Sequence, residues 1–165
     1  MIKPKIKISA DEVLHNFHAA LEMIEDKRPL LKKILGKDED KRSWTIKGSI
    51  LKSFMTKTSP DGKSWPNLNL EYAKRKTKKY GPKPTLVATG DLFNSLCRSN
   101  SYTVSILTKS KLTYGTTLPY AKYHVLGGDI IPQRNFIGFG KDQKNKIIKL
   151  TAKYYADLLR KGKAD

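Results

Sequence analysis

The stretch SYTVSILTKSKLTYGTT (101–117) decides the fold class. Residues 101–107 and 111–117 are rich in β-branched and aromatic residues, and Lys109-Ser110 stands between them. That is the signature of two antiparallel strands joined by a tight turn. Outward from this hairpin the pattern becomes helical on both sides. Downstream, Pro119 opens a helical turn through PYAKYHVLGG, which Gly127-Gly128 closes. IPQRNFIGFG (131–140) reads as a loop carrying buried aromatics. Ile147, Ile148, Leu150, Tyr154, Leu158 and Leu159 then recur at near-helical spacing, predicting a long terminal helix over 141–161.

Upstream, Thr89-Gly90 leads to Asp91, which is expected to cap a helical turn through LFNSL, and residues 85–88 form a short, mostly apolar run. Asn69 is placed to cap a helix through LEYAKRKTKKY, which Gly81-Pro82 stops. SPDGKSWP (59–66) is a turn by chemistry: Pro60 fixes φ, Asp61 can bond its own backbone, and Gly62 supplies an unusual dihedral. Ser43 is the expected cap of a helix with the stripe Ile46, Ile50, Leu51 and Phe54. Gly48 is expected to weaken that helix by about 1 kcal/mol relative to Ala. KDEDKR (37–42) is a polar connector. Nearer the start, Ser9 or Asp11 heads a helix with Val13, Leu14, Phe17, Leu21 and Ile24 on one face. Pro29 breaks it or begins the next turn, LLKKIL (30–35) extends the run, and Gly36 ends it. IKPKIKI (2–8) alternates like a short edge strand or arm. Helices, then strands, then a helix make an α+β chain: an antiparallel sheet packed against helices in one domain, 1–165.

The 165 residues include 33 Lys+Arg against 15 Asp+Glu, for a net charge of +18. Residues 1–40 hold eight of each sign, so 41–165 hold 33 − 8 = 25 basic and 15 − 8 = 7 acidic residues. The whole excess therefore lies in a basic body behind a neutral N-terminal helical region. Such charge speaks to partners rather than to fold. The single cysteine, Cys97, excludes an intramolecular disulfide and a multi-Cys zinc site. No run approaches a membrane span, and no apolar signal core follows the first residues, so a soluble protein made and kept in the cytoplasm until it joins something is expected, with no membrane partner.

Few residues suggest chemistry. His15 and His18, three apart with Glu22 in range, read as ordinary histidines rather than metal ligands. Cys97 and His124 could form a nucleophile–base pair, but nothing in the sequence places them together. There is no nucleophile elbow, phosphate-binding glycine loop or paired-histidine zinc signature, so neither a catalytic group nor a cofactor is expected. The run KRKTKKYGPK carries Lys74, Arg75, Lys76, Lys78, Lys79 and Lys83 beside Tyr72 and Tyr80. It fits phosphate contact with DNA, and equally a solvated helix face or a face meeting an acidic protein.

Four segments in order resemble the phage virion morphogenesis family, the Mu-like tail completion proteins. They are the helix running into Phe54 and SPDGKSWPNL, then LVATGDLFNSL (86–96), YGTTLPYAKYHVLGG (114–128) and IPQRNFIGF (131–139). The match falls on Pro60, Asp61, Gly62 and Trp65; on Thr89, Gly90, Leu92 and Ser95; on Pro119, Tyr120, Ala121, His124, Gly127 and Gly128; and on Pro132, Arg134, Phe136 and Gly138. The resemblance implies a structural virion protein for tail completion or head–tail joining at the neck. It would act as a homo-oligomeric ring with other tail or neck proteins as partners. Trp65 is expected to anchor the core, and Gly90, Gly127 and Gly128 to supply special dihedrals. Tyr120, His124, Arg134, Phe136 and Phe139 are the candidate interface residues, since aromatic and Arg side chains are enriched in interfaces. Sheet edges and the 128–140 loop would make the subunit contacts. The charge would line a DNA passage or meet an acidic ring, and would keep the isolated subunit monomeric.

Overall fold

A computed structural model describes residues 26–161. The expected strand at 2–8 and the helix capped by Ser9 or Asp11 lie outside them. Within them the elements run α1 (Arg28–Leu35), α2 (Ile46–Thr56), α3 (Leu70–Tyr80), α4 (Asp91–Phe93) continuing as a π-helical turn (Asn94–Arg98), β1 (Thr103–Leu107), β2 (Leu112–Thr116), α5 (Ala121–Leu126) and α6 (Lys141–Lys161). The class is α+β, with a two-stranded antiparallel sheet and a long C-terminal helix. Thr103 pairs with Thr116 and Leu107 with Leu112, and Thr108 N–H donates to Lys111 C=O at 2.9 Å across the turn.

Pro29 sits in the first turn of α1, where its missing N–H costs nothing, so it helps begin that helix. Helix α2 is capped by Thr45, not Ser43. The Thr45 hydroxyl accepts from Gly48 N–H at 3.1 Å, while the Ser43 C=O accepts from Gln143 Nε2 at 2.8 Å. Asn69 caps α3, its side chain accepting from Glu71 N–H at 3.0 Å, and Gly81 ends that helix. At α4 the cap position is Gly90, at φ +102, rather than Asp91. Asp91 instead takes a 2.6 Å hydrogen bond from the Thr89 hydroxyl.

The core gathers Ile50 and Phe54 from α2, Trp65 from the turn after it, and Leu92, Leu96 and Cys97 from α4 and the π turn. Ala121 of α5 and Phe136 of the following loop complete it. Phe54 is the hub. Its ring lies 5.8 Å from Trp65 and 5.5 Å from Phe93, both edge-on, and 5.5 Å from Phe136. Such pairs add to simple area burial. The π turn leaves carbonyls without helical partners, and other elements supply donors. Thr103 Oγ1 donates to Ser95 C=O, Tyr114 Oη to Leu96 C=O and Glu39 N–H to Cys97 C=O, each at 2.8 Å. The hairpin and the 37–42 connector are thereby fixed to the core.

The connector is held from its own side by Asp40, which is 1 % exposed. Its carboxylate accepts from the Arg42 guanidinium at 2.7 and 2.9 Å and from the N–H groups of Arg42 (2.9 Å) and Lys37 (3.2 Å). The Arg42 side chain, above all, holds its pKa well below the usual carboxylate range. A depressed folded pKa contributes stability that is present above the unfolded value and lost as pH falls through the folded one. Urea midpoints are therefore expected to fall between about pH 5 and pH 2, and Asp40→Asn to flatten that fall. A variant whose midpoint drops as steeply as the parent's would contradict the assignment.

Candidate functional site

Two surfaces contain the nominated residues: the α5 turn with the loop after it, and the outer face of α3. Helix α5 ends at Gly127, whose φ of +76 lets the chain reverse. A Cβ there would lie 3.0 Å from the Gln133 backbone. The reversed chain returns along α5, with Gly128 N–H donating to Ile131 C=O at 2.8 Å and Arg134 N–H to His124 C=O at 2.7 Å. Arg134, 5 % exposed, then points into the fold. Its Nε donates to Pro66 C=O and its Nη2 to Asn67 C=O, both at 2.9 Å. Burial pulls its pKa down. Phe136 is fully buried against Phe54. These two interface candidates are thus consumed inside the subunit, as a backbone clamp and a core ring. Both lie on a short loop that must cover Trp65 and Phe54.

Phe139 is half-buried, and Tyr120 is exposed. His124 is half-buried, its ring 6.2 Å from Tyr120 in an edge-on arrangement. Its Nδ1 is buried without a hydrogen-bond partner among the described residues. Burial, with the Arg134 charge adding to it, holds its pKa below the ordinary histidine value, so the ring is neutral at pH 7. The sequence reading missed what the same segment exposes: Tyr123, Leu126, Ile130 (94 % exposed) and Ile131. The available signal was a cluster of large apolar residues on either side of Gly127-Gly128, where a surface turn is normally polar. Pro60, Asp61 and Gly62 form the turn before Trp65, with Gly62 N–H donating to Ser59 C=O at 2.8 Å. Trp65 is buried and donates from Nε1 to Asn135 C=O at 2.9 Å, tying that turn to the loop.

On α3 the cations divide. Lys76 is buried at 6 %, and its ammonium donates to the carbonyls of Lys83 (2.9 Å) and Pro84. Burial lowers its pKa, with Lys57 and Lys83 acting in the same direction. It staples the helix to the following loop. Lys83 donates to Ala88 C=O at 2.9 Å from an exposed position. Lys74, Arg75, Lys78 and Lys79 face solvent, and none makes an ion pair among the described residues. Lys79 lies 5.1 Å from the Tyr80 ring. The structure therefore concentrates four solvent-facing cations along one helix.

Cys97 is fully buried beside Leu96, and burial pushes its thiol up to about 12, so it is not a thiolate at neutral pH. A disulfide-type thiol reagent at pH 8 is expected to leave native protein unmodified over hours and to react stoichiometrically in denaturant. Rapid native labelling would refute this placement. Among the described residues no three His, Cys, Asp or Glu side chains group as metal ligands, and no helix is long and apolar enough to cross a membrane. His15, His18 and Glu22 lie outside those residues.

The sequence model of the phage virion morphogenesis family matches residues 9–156. No curated protein and no solved structure matches the chain.

Proposed function

Because this chain belongs to the phage virion morphogenesis family, we propose that it is a structural subunit that completes the tail or joins head to tail. It does so as a ring of identical copies, transforms no substrate, and resides in the virion after assembly in the bacterial cytoplasm. The observation that carries this reading is the apolar surface of residues 120–131. Tyr120, Tyr123, Leu126, Ile130 and Ile131 are all exposed within twelve residues of chain, whereas the nearby Arg134 and Phe136 are fully engaged internally. Apolar exposure on that scale marks an interaction surface. A closed ring requires one patch to meet a different patch on the next copy. The net charge of +18 opposes that contact between free subunits. Light scattering at low salt is therefore expected to report a monomer.

The decisive experiment is electron microscopy of particles assembled without the protein. Separate heads and unfinished tails are expected, and restoration by the supplied wild-type chain. Normal joined virions in its absence would refute the proposal. Leu126→Asp with Ile130→Asp should fail to restore joining while leaving the thermal midpoint within a few degrees, since both side chains are solvent-facing.

The open cations of α3 favour a second activity, contact with duplex phosphates. Replacing Lys74, Arg75, Lys78 and Lys79 with Ala should remove about four phosphate contacts. It should also lower the log–log salt slope of DNA binding by about 3 to 4. An unchanged slope would leave the helix as a solvated or protein-facing surface.

A further inference from the structure

Both edges of the β1–β2 sheet are open among the described residues. Thr117 N–H donates to Tyr102 C=O and Thr108 N–H to Lys111 C=O, each at 2.9 Å. The alternation of an antiparallel ladder then assigns the inward bonds to Val104 with Gly115 and to Ile106 with Thr113. Ser105 and Leu107 of β1, and Leu112, Tyr114 and Thr116 of β2, therefore direct their N–H and C=O groups away from the hairpin. No backbone group of the described residues bonds them. Open edges normally carry a charge, a proline or a bulge as protection. TVSIL and LTYGT contain neither charge nor proline, and the register runs unbroken from Thr103–Thr116 to Leu107–Leu112. From Ser99 to Ala121 the only charged residues are Lys109 and Lys111, beside the turn, in a chain that is 29% charged. On the face turned away from the core, Ile106 is 56 % exposed, and a Cβ on Gly115 would meet nothing within 4 Å.

We infer that a second copy of the chain occupies these edges. The β1 edge of one subunit adds to the β2 edge of the next, antiparallel, and the hairpins join into one continuous sheet around the ring. The inference rests on the ring reading above and names the contact that builds it. Three features select this occupant. The two open edges belong to different strands of one hairpin, and a contact repeated around an axis requires two different patches. Rotation about that axis keeps β1 of the next subunit nearly parallel to β1, and so antiparallel to β2. Both strands are five residues long, so the new ladder is matched in length, and closure leaves no edge unpaired. Finally, β2 ends at Thr116, and Tyr120, four residues on, begins the exposed apolar surface. Strand pairing and apolar burial are thereby continuous.

Ser105→Pro tests the edge itself. It removes an N–H that no described backbone group uses, and proline is tolerated where a strand N–H faces out. The variant should keep its thermal midpoint within a few degrees yet fail to restore joined particles. Ser105→Ala, which keeps the N–H, should restore them. A folded Ser105→Pro subunit that restores joining overturns the inference. Cross-linking is an independent check, with buried Cys97 contributing no background. Joined particles are assembled from equal mixtures of Ile106→Cys subunits with Thr113→Cys, Gly115→Cys or Thr117→Cys subunits, three partners that span the register. Oxidation of one of these mixtures should link unlike subunits about tenfold more than particles built from either variant alone. Joined particles that contain the protein but give no unlike product with any partner overturn the inference and leave the ring reading standing. Products between two Ile106→Cys subunits in equal yield overturn it too, and assign the β1 edge to a two-fold contact. Normal joined particles assembled without the protein overturn the ring reading, and this inference with it.

Discussion

Gly48→Ala is expected to destabilise the chain by about 1 to 3 kcal/mol, although alanine is the better helix former by about 1 kcal/mol. The position is the third residue of α2, where a Cβ would stand 2.1 Å from Arg42 C=O oxygen and 2.7 Å from Asp40 C=O oxygen. Both obstacles are backbone, and that backbone cannot retreat. Asp40 is held by Arg42 and Lys37, Glu39 N–H is bonded to Cys97 C=O, and buried Lys47 pairs with Asp38. Urea denaturation of the two proteins at neutral pH measures the difference. A variant equal to or more stable than the parent would mean that the connector is free to move.

Phe136→Ala is expected to cost about 3 to 5 kcal/mol, the range for removing a fully buried ring from a packed core. The side chain has no exposed surface and sits 5.5 Å from Phe54, which itself packs on Trp65 and Phe93. Its loss opens a hole beside the hub of the aromatic cluster. Two internal ties, Arg134 to Pro66 and Asn67 and Trp65 to Asn135, keep the loop from collapsing into it. Ile130→Ala, six residues earlier and 94 % exposed, should change stability by less than about 0.5 kcal/mol. The contrast between the two is the measurement. Similar losses at both positions would show that this loop does not close the core.

What could be read from the chain was whatever has a local cause. The Lys109-Ser110 hairpin, the Asn69 and Gly81 ends of α3, the turn around Gly62 and the Gly127 stop of α5 depend on neighbours within a few residues. All of them occur as the local signals indicate. The misreadings turn on how segments pack against one another, at separations from six residues to a hundred. Ser43 and Thr45 are both good caps; the helix begins at Ile46, so Thr45 takes the cap position, while the Ser43 C=O is bonded by Gln143, a hundred residues away. Gly48 reads as a weak point of a helix until Arg42 is brought against it. Arg134 and Phe136 have the composition of an interface. Whether such residues face a neighbour or their own core is decided by where Trp65 and Phe54 lie. The exposed apolar residues 123–131 were visible as letters but not as surface. The cations of α3 were all visible, but not that Lys76 turns inward to Lys83 and Pro84.

The way Phe136 finishes the core also bears on how the protein is made. Its partners begin at Ile50, so the first core side chain waits 86 residues for the last. Contacts of such long sequence separation form late and slowly. At a translation rate of about 5 to 20 residues per second, the side of Phe54 that Phe136 covers stays open for roughly 4 to 17 seconds before Phe136 is even polymerised. Nascent chains arrested before that residue should remain protease-sensitive and chaperone-bound, and those extended well past it should not.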